Sequence, residues 1–259
     1  MADPILRTLK HIINELIAPL GVELARKHPH DWSDVANFIP FESTIKAARE
    51  SGLSVGDYID NVMSKTPGAT QYTIDGLVSL GVYSGPIQCV VEIGPGSGRY
   101  LERILRVCSP SRCEVYETAT KWASYVAKEF NVIVQPADGH SLKATPTESA
   151  DVAQAFKVFS GIPFSKTCRY WPEMVRVTRP NGHIAFDAVT ELCLETKIVE
   201  AWAESRIDHG SYPALIPRQV VVNYFEERGF RFVGSFLVPM PPGKTETFVF
   251  QKLRRESVG

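Results

Sequence analysis

One stretch decides the fold of this chain: Val91-Glu92-Ile93-Gly94-Pro95-Gly96-Ser97-Gly98-Arg99-Tyr100. It starts as a short apolar run, continues through three glycines at alternate positions and leads into a helical pattern. Glycine allows left-handed backbone conformations and a close approach of a ligand to the main chain. Open α/β sheets bind their ligands at the carboxyl ends of the strands. The stretch therefore predicts a strand, a turn and a helix that border a small-molecule pocket.

From about residue 88 onward, short β-branched runs alternate with helical patterns, as expected for a parallel sheet with crossover helices. The turn-forming sequence Pro241-Pro242-Gly243-Lys244 separates the last two runs and predicts that they pair antiparallel. We therefore expect a doubly wound, Rossmann-like α/β fold with a seven-stranded, mostly parallel sheet and an antiparallel C-terminal strand. The expected strands are residues 89–93, 113–117, 131–134, 151–156, 183–187, 230–238 and 246–253.

The first 85 residues lack this alternation and have a mostly helical pattern. Apolar residues between Ile5 and Leu20 fall at helical spacing and predict a packed amphipathic helix. We expect two parts, a helical region over residues 1–85 and a ligand-binding domain over residues 86–259. The aromatic residues of the helical region suggest a lid over the substrate; they are Trp32, Phe38, Phe41, Tyr58 and Tyr72.

Composition excludes several functional classes. The chain has 28 Lys and Arg residues against 29 Asp and Glu residues and no basic stripe, which argues against binding to nucleic acid. It has five cysteines without a C-x-x-C pair, a pattern typical of reduced thiols inside the cell. Neither a run of 18 apolar residues nor a secretion signal is present, so we expect a cytoplasmic protein without membrane insertion. The sequence leaves a homodimer open.

The spacing of the glycines narrows the choice of ligand. A dinucleotide-binding fingerprint, G-x-G-x-x-G, would need glycine in place of Arg99. A Walker loop would need Lys and then Ser or Thr after its last glycine, whereas Gly98 is followed by Arg99 and Tyr100. Both phosphate-binding interpretations are therefore weakened. The carboxyl group of Glu92, two residues before the first glycine, favours a cationic or amino-bearing ligand.

The motif Glu92-Ile93-Gly94-Pro95-Gly96-Ser97-Gly98 resembles the acidic-x-G-x-G-x-G motif of class I S-adenosylmethionine-dependent methyltransferases. The resemblance implies S-adenosylmethionine as cofactor and methyl donor, with a small-molecule acceptor. It also implies that the glycine turn, formed by Gly94, Pro95, Gly96 and Gly98, lies against the methionine part of the cofactor. Glu92 would then hold the amino group of the cofactor, directly or through water.

Other positions extend this resemblance over about residues 88–190. Glu117 follows Gly98 by nineteen residues at the end of the second strand, where an acidic residue accepts hydrogen bonds from ribose hydroxyls. Asp138 and Gly139 follow the third strand, where the family carries an acidic residue against the adenine amino group. Phe156, after the fourth strand, is assigned to the same cofactor site. Asn181 replaces the usual glycine before the fifth strand and tolerates a left-handed conformation.

Methyl transfer to a hydroxyl group needs a base to remove the proton. The candidate bases are His140, Asp187 and His209, all expected near the carboxyl ends of the strands or in the loop beyond them. We expect no metal, because Glu191 is the only carboxylate near Asp187 in the sequence.

The segment after the fourth strand, Phe156-Lys157-Val158-Phe159, lacks the Asp/Asn-Pro-Pro-Phe/Tyr motif of enzymes that methylate nucleic acid bases or glutamine. We therefore expect O-methylation of a small-molecule hydroxyl, on a sugar or a secondary metabolite. The alternatives are N- or C-methylation of a small molecule, or a partner subunit that binds S-adenosylmethionine without turnover. A nucleotide-dependent oxidoreductase is disfavoured by Arg99.

Overall fold

The computed structural model describes Ile13, residues 38–205 and residues 212–254. The chain forms two compact units, Met1–Trp32 and Ser33–Gly259, and apart from Ile13 the described residues all lie in the second unit. Apart from Ile13, the predicted amphipathic helix between Ile5 and Leu20 lies outside the described residues, and so does the candidate base His209. None of the described helices has the length and apolar character that crossing a bilayer requires.

A single seven-stranded sheet runs through the described part of the second unit. Its order is β3-β2-β1-β4-β5-β7-β6. Strands β1 to β5 are mutually parallel, and β7 runs antiparallel to both β5 and β6. This arrangement confirms the predicted doubly wound α/β fold with an antiparallel C-terminal strand. The strands are β1 Cys89–Ile93, β2 Arg112–Tyr116, β3 Ile133–Gln135, β4 Ala150–Ala155, β5 Thr178–Ala188, β6 Phe230–Met240 and β7 Gly243–Lys252.

Helices precede the sheet, cover both of its faces and connect the parallel strands. In the described residues they are α1 Phe41–Glu50, α2 Val55–Tyr58, α3 Ala69–Ser79, α4 Arg99–Cys108, α5 Thr120–Glu129, α6 Phe164–Val177, α7 Thr196–Ser205 and α8 Arg218–Glu226. A π-helical turn, Ile59–Met63, follows α2 directly, and a 3-10 turn, Glu191–Cys193, precedes α7.

Both faces of the sheet are buried, which explains why its strands are apolar on both sides. Neighbouring residues of β1 enter different cores, since Val91 belongs to one hydrophobic cluster and Val90 to the other. The first cluster is rich in aromatic side chains, with Phe186 of β5 packed against Trp171 and Phe248. The layered core holds the carboxyl ends of β1, β2 and β4 in fixed positions.

Strand β5 begins earlier than the sequence pattern predicts. It starts at Thr178 rather than at residue 183, and its pairing with β4 shifts register between Ala150 and Val152. Asn181 has the left-handed conformation expected of it, with φ of 63°. Gly182 has no room for a side chain, since a Cβ there would lie 2.8 Å from the carbonyl oxygen of Asp151. Close backbone packing, which periodicity does not reveal, therefore extends the strand through the expected turn.

The helical segment before the sheet packs against the sheet domain. In α3, a Cβ at Gly76 would lie 2.5 Å from the ring of Phe236 in β6. Trp122 of α5 donates a hydrogen bond from Nε1 to the carbonyl oxygen of Ile39 at 2.9 Å, and its ring contacts Phe41. Residues 38–79 therefore share the compact unit of the sheet.

Candidate cofactor site and active site

A cavity of about 310 Å³ lies at the carboxyl ends of the strands, where open α/β sheets bind ligands. Its volume falls within the usual range of small-molecule sites. The predicted cofactor residues that line it come from the loops after β1, β2, β3 and β4. They are Gly94, Pro95, Gly96, Glu117, Asp138, Gly139 and Phe156.

The three glycines of the turn have different surroundings, although each has a positive φ. A Cβ at Gly94 would lie 2.7 Å from Val158, so this glycine allows the loops after β1 and β4 to touch. A Cβ at Gly96 would meet no atom within 4 Å, and this residue lines the cavity. A Cβ at Gly98 would overlap the ring of Phe130, and Gly98 does not line the cavity. Gly96 thus leaves room for a ligand, whereas Gly98 serves packing.

Glu117 lies one residue beyond β2 and is tied to the glycine turn. Its Oε2 accepts a hydrogen bond from the backbone N–H of Gly96 at 2.8 Å, and Oε1 accepts one from Ala119 at 2.8 Å. Burial raises the pKa of Glu117, and these N–H donors oppose the rise. Each carboxylate oxygen has a second lone pair. The pair of oxygens therefore suits the two hydroxyl groups of a ribose.

Asp138, after β3, is held as a carboxylate at another wall of the cavity. Its oxygens accept hydrogen bonds from Ser141 Oγ at 2.6 Å, Ser141 N at 2.7 Å and His140 N at 3.0 Å. Burial works against the charge, but the bonds from Ser141 and His140 prevail and hold the pKa of Asp138 well below its ordinary value. An ionised acceptor suits a ligand amino group such as that of adenine.

Glu92 does not reach the cavity. It is 1% exposed inside β1, and its Oε2 accepts a hydrogen bond from Gln154 Nε2 at 3.0 Å. Tyr83 donates in turn to Gln154 Oε1 at 2.8 Å. Burial raises the pKa of Glu92 to about 8. The carboxyl group therefore belongs to a buried polar chain beneath the glycine turn.

This burial predicts a pH-dependent stability effect for Glu92→Gln. The pKa of Glu92 is about 8 when folded against 4.5 for an ordinary glutamate, so between these values the folded state holds a proton that the unfolded state releases. Stability contributed by Glu92 is therefore lost as pH rises from about 4.5 to about 8. The substitution removes this loss, so the ligand-free variant should melt above wild type at pH 8.5 and close to it at pH 5.

Thermal unfolding of both proteins across this range measures the effect. Glu50→Gln, at an exposed position of α1, is the control and should follow the wild-type profile. A difference between Glu92→Gln and wild type that stays constant with pH would contradict the assignment.

The candidate bases do not meet at the cavity. Asp187 is 1% exposed at the end of β5; its Oδ1 accepts from Lys157 N at 2.6 Å, and Oδ2 pairs with Lys157 Nζ at 2.8 Å. His140 is half-exposed beside Asp138 and does not line the cavity. His209 lies outside the described residues. Asp187 therefore acts on the cavity only through Lys157. Within the described residues, no three His, Cys, Asp or Glu side chains are grouped so as to hold a metal ion.

Lys157 is the functional candidate that sequence reasoning missed. It follows β4 with a positive φ of 59°, lines the cavity, and donates from Nζ to Thr245 Oγ1 at 2.6 Å. A lysine ammonium has three N–H donors, and Asp187 and Thr245 occupy two of them. The available signal was one charged residue in an otherwise apolar segment, residues 156–159.

An aromatic wall, formed by Phe38, Tyr212 and Trp202, borders the cavity through Phe38. Phe38 lines the cavity and contacts the ring of Tyr212 at 5.3 Å, and Trp202 contacts Tyr212 at 5.5 Å. Burial, with a smaller effect of the Asp187 charge, raises the pKa of Tyr212 to about 12. The side chains of this wall are aromatic and uncharged.

Residues 91–186 match the model of a family described as a methyltransferase domain. The matched span holds the glycine turn, Glu117, Asp138 and Lys157. No curated protein matches the sequence.

Several solved structures share the fold. Magnesium protoporphyrin IX methyltransferase from Synechocystis PCC 6803, with bound S-adenosylhomocysteine, is 9% identical with a TM-score of 0.55 over 94% of this chain and 99% of that chain. N-methyltransferase NodS from Bradyrhizobium japonicum WM9, in complex with S-adenosylhomocysteine, is 14% identical with a TM-score of 0.51 over 71% of this chain and 87% of that chain. The [4+2]-cyclase SpnF is 14% identical with a TM-score of 0.56 over 72% of this chain and 81% of that chain.

The match over residues 91–186, the order of the seven strands and the cavity bordered by the glycine turn, Glu117 and Asp138 agree with a methyltransferase domain. The open space at Gly96 and the paired oxygens of Glu117 fit an adenosyl cofactor. Residues 91–186 therefore carry a methyltransferase domain, and the cavity that this domain borders fits S-adenosylmethionine as the cofactor.

Proposed function

We propose that the protein transfers a methyl group to a hydroxyl oxygen of a small-molecule acceptor. The observation that carries the proposal is the position of Lys157 on the cavity wall, with its ammonium group held by Asp187 and Thr245. The remaining N–H of Lys157 donates to an oxygen lone pair of the acceptor. A protonated amine offers no lone pair and repels the ammonium group, so the site favours oxygen acceptors.

The charge of Lys157 also assists the reaction. Bound S-adenosylmethionine supplies a methyl group activated by a sulfonium. A hydrogen bond from Lys157 to the acceptor hydroxyl stabilises negative charge that grows on the oxygen as its proton leaves. Asp187 keeps the ammonium group in place, because both of its carboxylate oxygens contact Lys157.

The proton of the acceptor must pass to a base while the oxygen–methyl bond forms and the sulfur–methyl bond breaks. On the sequence argument alone we assign this role to His209, three residues before Tyr212. His140 stands beside Asp138 outside the cavity lining, and Asp187 is occupied by Lys157. These contacts favour His209 over the other two candidates.

The aromatic character of the wall narrows the range of acceptors further. Phe38 and Ile162 both line the cavity, and the ring of Tyr212 contacts that of Phe38. Apolar and aromatic surfaces gain by covering a ring of similar character. We therefore favour a ring-bearing metabolite with a free hydroxyl group over an open-chain polar acceptor. Phe38 also supports the proposal that the helical region over residues 1–85 covers the acceptor side of the site.

An acceptor screen tests the proposed function. The protein is incubated with S-adenosylmethionine labelled in its methyl group and with matched phenols, sugars, amines and carbon acids. Tandem mass spectrometry then locates the label in each product. We expect label on oxygen. Label on nitrogen or carbon would contradict O-methylation, and the absence of transfer together with tight binding of S-adenosylhomocysteine would favour a partner subunit without turnover.

Replacing Lys157 with methionine should lower kcat/KM for the acceptor by about 10- to 100-fold, the equivalent of one charged hydrogen bond. Binding of S-adenosylhomocysteine should change little, since the lost bond belongs to the acceptor. Initial-rate kinetics and calorimetry measure the two effects. Lys128→Met, at an exposed position of α5, is the matched control. Full activity of the Lys157→Met protein would overturn the role of Lys157.

A further inference from the structure

Arg99 connects the glycine turn with the helical segment before the sheet. It is the first residue of α4, lines the cavity and has a largely buried side chain. Its Nη1 donates to Asp60 Oδ1 at 2.8 Å. Within residues 38–205 and 212–254, Asp60 is the one hydrogen-bond acceptor found for this guanidinium, which carries five N–H donors. In that part of the chain, the other N–H groups of Arg99 have no acceptor and can serve a ligand.

Asp60 is built to hold this arginine. It is 1% exposed in the π-helical turn Ile59–Met63, a type of turn that often marks functional sites. Thr70 fixes the carboxylate, donating from Oγ1 to Oδ1 at 2.8 Å and from N to Oδ2 at 3.3 Å. Gly56 of α2 leaves space for Arg99, since a Cβ there would lie 3.0 Å from Arg99 Cβ. The rotamer of Arg99 is therefore set from residues 55–70.

The carboxylate of the cofactor needs a cationic partner among the side chains that line the cavity. The amino-acid end of S-adenosylmethionine carries one carboxylate, the single anionic group of the molecule at neutral pH. The cationic side chains that line the cavity are Arg99, Lys157 and Lys166. Lys157 is already paired with Asp187 and Thr245, and Lys166 is exposed near the start of α6. Arg99 alone of the three is both fixed by a buried partner and planar, as bidentate carboxylate binding requires.

We propose that Arg99 binds the carboxylate of S-adenosylmethionine and that Asp60 is its positioning residue. The helical segment around Asp60 then completes the cofactor site. The inference rests on the cofactor and not on the identity of the acceptor, so its failure and the failure of the O-methylation proposal are separate results.

The test compares two ligands by calorimetry. One is S-adenosylhomocysteine, and the other is its decarboxylated analogue, which has the same adenosyl group and amine but no carboxylate. Wild type should bind S-adenosylhomocysteine about 10- to 100-fold more tightly than the analogue. In the Arg99→Gln protein, the ratio of the affinity for S-adenosylhomocysteine to the affinity for the analogue should fall close to one, because only the ligand with the carboxylate loses a contact. Arg99→Lys should keep part of the ratio, since a lysine provides charge without the planar fork.

Two further variants locate the effect. Asp60→Asn should reduce the ratio several-fold, with circular dichroism as the check that the protein is folded. Arg106→Gln is the matched control on the same helix, because this side chain is 71% exposed and pairs with Glu102. It should keep the wild-type ratio.

The outcomes decide both parts of the proposal. Equal weakening of both ligands in Arg99→Gln would mean a structural role and would overturn carboxylate binding. Loss of the ratio in Lys166→Gln, with Arg99→Gln unaffected, would place the carboxylate elsewhere and also overturn it. A wild-type ratio in a folded Asp60→Asn protein would overturn the positioning role of Asp60.

Discussion

Replacing Glu117 with alanine is expected to lower the affinity for S-adenosylhomocysteine by about 100-fold, the equivalent of about 3 kcal/mol. The substitution removes both carboxylate oxygens offered to the ribose. It also frees the backbone N–H groups of Gly96 and Ala119, which Glu117 holds at 2.8 Å each. The glycine turn would then lose the contact that ties it to the end of β2. Calorimetric titration of wild type and variant measures the change.

Glu117→Gln is the informative companion variant. A glutamine keeps one acceptor oxygen, but its amide NH2 faces an N–H donor, so we expect an intermediate loss of affinity. Unfolding experiments on both variants should show a smaller effect on stability than on binding. An Ala variant that binds S-adenosylhomocysteine like wild type would remove Glu117 from the cofactor site.

The same carboxyl group predicts how binding depends on pH. Burial raises the pKa of Glu117 above the ordinary value of a glutamate. The ionised form accepts the ribose hydrogen bonds, so affinity should fall as pH decreases through this raised pKa. The Glu117→Gln variant has no titrating carboxyl group at this position. It should therefore lack the loss of affinity at low pH that protonation of Glu117 causes.

Alanine at Gly98 should mainly lower the stability of the fold, whereas alanine at Gly96 should mainly lower the affinity for the cofactor. Gly98→Ala is expected to cost about 3 kcal/mol of stability, from about 1–2 kcal/mol for a left-handed alanine and about 1–3 kcal/mol for overpacking against Phe130. Gly96→Ala should cost only the left-handed part, since a Cβ there meets no protein atom within 4 Å. That Cβ would occupy space next to the cavity, so cofactor affinity should fall clearly.

Urea unfolding and calorimetry of the two variants provide the comparison. Each variant is the control for the other, because both glycines have a positive φ, 51° at Gly96 and 75° at Gly98, and lie two residues apart. Equal losses of stability in the two variants would show that the ring of Phe130 moves away without cost. Unchanged cofactor affinity in Gly96→Ala would show that the ligand does not use the space at Gly96.

Much of the domain was predictable from the sequence because the responsible signals are local. Apolar runs of strand length, separated by helical patterns, predicted seven strands and the antiparallel C-terminal pair, and the sheet order confirms them. Three glycines at alternate positions predicted a turn with positive φ, and all three glycines have a positive φ. Asn181 was expected to adopt a left-handed conformation for the same local reason, and it does.

The roles of the acidic residues could not be read from their spacing. Glu92 and Glu117 both stand at or near a strand end, but Glu92 lies within β1, between β2 and β4, where its side chain is buried. Glu117 lies one residue beyond β2, where its carboxylate meets the backbone of the glycine turn. Whether a glutamate lies within a strand or just beyond its end therefore decides its role. Glu92 has strand neighbours on both sides and is a buried neutral acid, whereas Glu117 is a carboxylate at the cavity.

The sequence by itself therefore determined the class of fold and the glycine turn, because periodicity and backbone conformation depend on residues close together in the chain. Only the tertiary structure decided which charged groups meet. Lys157 and Asp187 are 30 residues apart, and Arg99 and Asp60 are 39 apart. Such pairs leave no periodic trace in a single sequence, since they form only when the ends of different strands and helices are brought to the same edge of the sheet.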